Sequence, residues 1–163
     1  MNRPEQSDGS GESAAGDSVQ PIQQILVPMD FKATSKQALE FAKRLLLSVD
    51  GRLHLLFVDD DPMLMHSNTS QAFRDEHEDK MAMKFVTLLS EEERHKYDVV
   101  MSVCCGTAYH EIETYAREKN VDLIVLGQSN RSRLSEMLLG SVSAHVIRHA
   151  DCPVVSVPAV THN

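Results

Sequence analysis

The sequence predicts an α/β fold: a single domain on a five-stranded parallel sheet with helices on both faces. Three observations predict it. Five short apolar runs have strand length, and the clearest, around Leu26 and Ile124, are continuous rather than alternating, as in strands buried on both faces. Four segments with apolar residues at helical spacing separate these runs. No internal repeat or linker interrupts the alternation, which places all nine segments in one domain.

Residues 1–20 are Gly, Ser, Glu, Asp and Gln with hardly an apolar group, and read as a disordered acidic tail. Residues 21–158 make the domain, and residues 159–163 a short C-terminal tail. The first strand covers residues 22–29, centred on Ile25, Leu26 and Val27, with Pro28 and Asp30 at its C-terminal end. Thr34 and Gln37 form a capping-box pattern. Ala38, Ala42, Leu45, Leu46 and Val49 follow at helical spacing until Asp50-Gly51 ends the helix. Residues 53–58 are the second strand, closing on Asp59, Asp60 and Asp61. Pro62 breaks the chain before a polar loop at residues 66–71. A long helix follows, with Phe73, His77, Met81, Phe85 and Leu88 on one face and Glu91, Glu92 and Glu93 solvated near its end. Residues 99–103 are the third strand and Gly106-Thr107 the turn after it. Ile112, Tyr115 and Ala116 form the core stripe of the next helix, which Asn120 stops. The fourth strand, residues 123–126, ends at Gly127. A last helix runs over residues 141–150, and residues 154–157 form a short strand between Pro153 and Pro158.

The 163-residue chain is long enough to bury a sizeable core. A net charge of −8 argues against non-specific nucleic-acid binding. No apolar run approaches the roughly 20 residues that span a bilayer. The N-terminus lacks the basic and apolar regions of a secretory signal. Three cysteines, Cys104, Cys105 and Cys152, without CxxC spacing, fit a reducing cytoplasmic compartment and read as structural thiols.

The stretch from Asp122 to Ser143 carries the functional signal. A buried strand runs into Gly127, a polar loop of Gln128, Ser129, Asn130 and Arg131, and then Gly140-Ser141 at a helix start. Such a helix N-terminus presents unpaired N–H groups and a positive dipole end to an anion. The spacing Gly127-Gln128-Ser129-Asn130, nine residues, Gly140-Ser141 resembles the universal stress protein family, whose ATP-binding members carry Gly-x-x-Gly, nine residues, then Gly-Ser or Gly-Thr. The similarity continues through SVSAHVIRHADCPVVSVP to Pro158, and Asn130 stands in place of the second motif glycine.

The resemblance implies a Rossmann-like sheet, akin to the adenine nucleotide alpha hydrolases, with strand order 3-2-1-4-5. In such open sheets ligands bind beyond the carboxyl ends of the strands where the order reverses. It therefore implies a crevice with Asp30 and Gly127 on opposite lips. Asp30 would accept from ribose hydroxyls, and backbone near Val58 would meet adenine. Gly127, Ser129, Asn130, Arg131, Gly140, Ser141 and Val142 would line the phosphates of ATP, carried with Mg2+. Pro28, Met29, Leu126 and Ser143 complete the candidate set.

Each residue also has a plainer reading. Asp30 can cap the loop into the first helix, Gly127 can be a strand-end turn, Ser141 can cap its own helix, and Arg131 and Arg133 can be surface charges. Asn130 enters the left-handed region readily, so it either supplies the conformation of the family glycine or obstructs the phosphates. Lys32, where a small polar residue is usual in the family, reads as solvent-facing. Asp59, Asp60 and Asp61 read as a solvated loop rather than a cation site. His145 and His149 are spaced i,i+4 on the last helix and can present two imidazoles together. They read as helix surface and partners of the C-terminal dipole, with metal binding the lesser alternative.

The resemblance also implies a homodimer through the last strand, where Val154, Val155 and Val157 leave an edge that needs covering. The leading functional reading is an ATP-holding protein in a stress-response or energy-sensing role. Hydrolysis would be slow at most, because no general base or water-positioning residue stands near the proposed phosphates. The alternative is a dimeric stress protein that acts by protein–protein contacts without nucleotide. Adenylating enzymes of related fold carry Ser-Gly-Gly or His-x-Gly-His after the first strand. Met29-Asp30-Phe31-Lys32-Ala33 has neither, so the reading is a binding protein, not an enzyme.

Overall fold

The computed structural model describes residues 21–46, 51–65, 69–128 and 140–159. The elements in chain order are β1 (Gln24–Pro28), α1 (Ala33–Leu45), β2 (Arg52–Asp59), α2 (Pro62–Met65), α3 (Gln71–Val86), α4 (Glu91–Lys96), β3 (Asp98–Cys105), α5 (Ala108–Glu118), β4 (Leu123–Gln128), α6 (Ser141–His149) and β5 (Val154–Pro158). All strands pair in parallel in the order β3-β2-β1-β4-β5, as the resemblance implied. Among the described residues no helix is long and apolar enough to cross a membrane.

Strand alternation divides the core in two. Ile25, Val27, Leu53, Leu55, Leu123 and Val125 face α1 and the end of α3, where Ala38, Leu39, Ala42 and Phe85 meet them. Leu26, Leu56, Ile124 and Leu126 face the other way, onto Ile112 and Ala116 of α5 and Val146 of α6. On this second face His54 is buried. Its Nδ1 lies 3.1 Å from the Tyr115 hydroxyl and its Nε2 2.8 Å from Gln24 Oε1. Burial, with smaller contributions from Arg52 and Lys119, lowers its pKa. The neutral ring therefore donates from Nε2 to Gln24 and accepts at Nδ1 from Tyr115.

The helical segments depart from expectation in several places. The region read as one long helix is split. α3 stops at Val86, and Ser90 opens α4 with a capping box, its Oγ accepting from Glu93 N at 3.2 Å while Glu93 Oε2 accepts from Ser90 N at 2.8 Å. Glu93 is thus not merely solvated, since its Oε1 also accepts from Lys43 Nζ at 2.5 Å, and Lys43 is buried. Thr34 and Gln37 form no capping box, because α1 already begins at Ala33 with Lys32 as its N-cap. Leu45 is exposed rather than in the core stripe, and Val49 lies outside the described residues. Asn120 does end its helix as read, with φ of 50° in the left-handed region.

Candidate functional site

A cleft of about 200 Å3 opens at the carboxyl ends of β1, β2 and β4, on the α5/α6 face of the sheet. Its floor is Pro28, Leu56, Val58 and Leu126, one wall is Ala108 and Ile112 of α5, and the opposite end is Val142 and Ser143 in the first turn of α6. Met29 and Asp30 complete the rim. The position follows from topology: β1 leads right to β2, while its other neighbour β4 leads on to β5, so the loops leaving β1 and β4 part there. The walls are mostly aliphatic, with polar groups confined to the rim and to the α6 end, the make-up of a small-molecule site.

Seven residues expected from the sequence come together here: Pro28, Met29, Asp30, Val58, Leu126, Val142 and Ser143. Leu56, Ala108 and Ile112 were not in the expected set. The helical periodicity of Ile112 marks it as core and gives no hint that one end of the stripe reaches a cleft. Ser129, Asn130, Arg131 and Arg133 lie outside the described residues.

Asp30 is held from several sides. Its Oδ1 accepts from Ser35 Oγ at 2.6 Å and from Lys32 N at 3.0 Å, and its Oδ2 lies 3.1 Å from Lys32 Nζ. Burial alone would raise its pKa, but the hydrogen bonds from Ser35 and Lys32 outweigh this and hold it below the usual carboxylate value. The group is an ionised acceptor at neutral pH. The capping role anticipated for it is present, and it uses Oδ1. Among the described residues Oδ2 meets only the exposed ammonium of Lys32, a contact weak enough for a ligand hydroxyl to share. Lys32 faces solvent, as expected, and its ammonium also reaches Asp30. Between them Phe31 takes φ of 60°, rare for a non-glycine residue, and its ring packs against Phe57 and Phe85 at 5.2 Å each. That packing offsets the backbone strain and fixes the turn that presents Asp30.

Gly127 belongs to β4 rather than ending it. It points to the α1 face, where a Cβ would overlap the carbonyl of Thr34. Its glycine identity thus follows from close packing of β4 on the first turn of α1, and Gly127 is absent from the cleft lining. Gly140 is the N-cap of α6 and offers no side-chain cap, so Ser141 is the first helical residue and not the cap anticipated for it. Among the described residues nothing lies within 4 Å of where a Gly140 Cβ would stand, so none of them explains this glycine by packing as Thr34 explains Gly127.

Asp60 and Asp61 are exposed, as expected of a solvated loop, but Asp59, the last residue of β2, is structural. Asp59 is buried, pairs with His77 Nε2, and accepts from Asp61 N at 2.9 Å, while Asp61 Oδ1 accepts from Met63 N at 2.9 Å as α2 starts. Cys104 and Cys105 point to opposite faces, as expected, with Cys104 in the α5/α6-side core and Cys105 exposed. Burial pushes the Cys104 thiol up to about 11, and raises Cys105 and Cys152 as well. None is poised as a thiolate.

Comparison with known proteins places this architecture. The sequence model of the universal stress protein family matches residues 21–158. The universal stress protein YxiE of Bacillus subtilis is 32% identical over 143 residues, covering 82% of this chain and 97% of the relative. The solved structure of protein MJ0577, a universal stress protein of Methanocaldococcus jannaschii, superposes with a TM-score of 0.74 at 26% identity, over 88% of this chain and all of the other. A family protein from Arabidopsis thaliana solved with AMP bound shares the fold at a TM-score of 0.56 and 20% identity, over 85% of this chain and 93% of the other. The chain belongs to the universal stress protein family.

Proposed function

We propose that the cleft holds an adenine nucleotide, ATP with its Mg2+, in a stress-response or energy-sensing role with slow turnover at most. The observation that carries this reading is the composition of the cleft. An aliphatic slot suits a purine, an ionised carboxylate stands at one rim, and a helix start without a side-chain cap stands at the other. The base would lie among Val58, Ile112 and Leu126, with its sugar hydroxyls toward Asp30. The phosphates would extend past Val142 and Ser143 over Gly140 and Ser141. At about 200 Å3 the described cleft is smaller than the roughly 300–1,000 Å3 of a drug-sized ligand site, so it matches the base and sugar rather than the whole ligand. A protein of this fold solved with AMP bound supports an adenine nucleotide in the cleft.

The ribose assignment is tested by comparing ATP with 2′,3′-dideoxy-ATP on the wild type and on Asp30→Asn. A hydrogen bond to a charged group contributes about 1.5–3 kcal/mol, so the wild type should prefer ATP at least about tenfold and the variant should lose most of that preference. A preference left intact in Asp30→Asn would overturn Asp30 as the ribose acceptor. Absence of ATP binding to the wild type would overturn the reading as a whole.

We further propose a homodimer through β5, the strand at one edge of the sheet. Ile124 N donates to Pro153 O at 3.0 Å. By alternation, Val155 and Val157 turn their N–H groups to β4, while Val154 and Ser156 turn theirs outward. Pro158, on the outward set, costs the β4 pairing no donor. Ser156→Pro should therefore give a monomer in sedimentation at an unchanged fold, and a dimer that persists would contradict the β5 interface.

A further inference from the structure

We propose that α5 and α6 carry a site for a divalent transition-metal ion, of the zinc class, formed by Glu113, His145 and His149. One ligand atom from each of the three lies within 4.8 Å of the other two, the one such grouping among the described residues. The site spans the two helices: Tyr109 and Glu113 are an i,i+4 pair on α5, and His145 and His149 face them as an i,i+4 pair on α6. His149 is on the helix surface near the C-terminal end of α6, as expected, whereas His145 is not simply surface. His145 is partly buried, its ring 3.9 Å from the Tyr109 ring and 4.2 Å from the His149 ring, between centroids.

Two features point to a cation. Among the described residues Glu113 Oε1 is buried and accepts no hydrogen bond, and His145 Nε2 stands 3.6 Å from it. A buried carboxylate oxygen without a donor is costly, and a coordinated ion removes that cost. The second feature is the tautomer of His149, whose Nδ1 lies 2.9 Å from the His145 carbonyl oxygen. Only a protonated Nδ1 can donate there, so in the neutral ring the lone pair sits on Nε2. This is how metal-binding imidazoles are commonly oriented, by a backbone carbonyl on the nitrogen away from the metal.

Metal–ligand bonds of about 2.0–2.1 Å in a tetrahedron set donor atoms about 3.3 Å apart. The Glu113–His145 separation already approaches that, and small rotamer changes on exposed His149 would close the remainder. Two imidazoles and one carboxylate suit zinc and its neighbours in the first transition row, whereas calcium and magnesium favour all-oxygen shells. The fourth position would be left to water. The bound ion would tie together the helices that supply Ala108, Ile112, Val142 and Ser143 to the cleft.

The test uses the full chain, stripped of metal with a chelator and titrated with Co2+ and then Zn2+. The expected result is one equivalent of Co2+ with the intense visible absorption of a four-coordinate ion. No sulfur-to-cobalt charge-transfer band should appear, and Zn2+ should displace the colour. Glu113→Gln and His149→Ala, each checked for an unchanged metal-free melting curve, should weaken binding at least about tenfold. His149 is exposed and Gln is isosteric with Glu, so both variants are expected to fold. No binding, unchanged affinity in both variants, or a charge-transfer band from cysteine ligation would each overturn the site.

Discussion

At the scale of single residues, what a side chain touches separates structural from functional roles more sharply than its type does. Gly127 sits in the family motif, yet its hydrogens face the Thr34 carbonyl on the far side of the sheet from the cleft. Gly127→Ala should lower stability by about 1–3 kcal/mol through overpacking, measured by chemical denaturation. His54 gives a pH signature. Its folded pKa lies below the ordinary 6.5 of the unfolded chain, so the unfolded state binds more protons in that window. The stability it contributes is complete above pH 6.5 and falls as pH drops from there toward the lowered value. Denaturation midpoints should decline less steeply below pH 6.5 in His54→Gln than in the wild type. An equal slope would place the proton uptake on other groups. The sequence could not reveal either role, because the relevant partners, Thr34 for Gly127 and Tyr115 for His54, are distant along the chain.

At the scale of elements, apolar periodicity located every strand and the core helices, because burial imposes it directly. Continuous runs such as Ile25, Leu26 and Val27 predicted a strand covered on both sides, and all three are fully buried. Boundaries were less legible. The break between α3 and α4 is made by Ser90 and Glu93, a local capping signal hidden inside a charged run. That capping box also anchors the sheet's cover, since Glu93 reaches buried Lys43 on α1, which a second and more exposed acid, Glu40, also contacts at 2.5 Å. Burial on its own would lower the Lys43 pKa, but the hydrogen bonds to Glu40 and Glu93 outweigh it and raise the value. The ammonium is therefore charged and depends on these partners. Glu93→Gln should cost on the order of 1–2 kcal/mol, and in a Lys43→Met background the same change should cost less. Equal costs in both backgrounds would show that the pair is not coupled.

At the scale of the whole molecule, the strand order fixes where a ligand can sit. With β1 and β4 adjacent and their following loops diverging, the carboxyl ends of β1, β2 and β4 leave a cleft that α5 and α6 close from one side. The β1 and β4 contributors, Pro28, Met29, Asp30 and Leu126, were legible because a family motif marks the strand ends. Ala108 and Ile112 were not, because α5 reaches the cleft through tertiary packing, which leaves no local pattern. We propose this cleft as the nucleotide site. The most direct measurement is calorimetric titration of the full chain with Mg-ATP, run beside Ala108→Trp, whose indole would fill the cleft from the first turn of α5. Micromolar binding to the wild type that disappears in a variant with an unchanged melting temperature is the predicted result. No binding to the wild type, or binding that Ala108→Trp leaves intact, would contradict it.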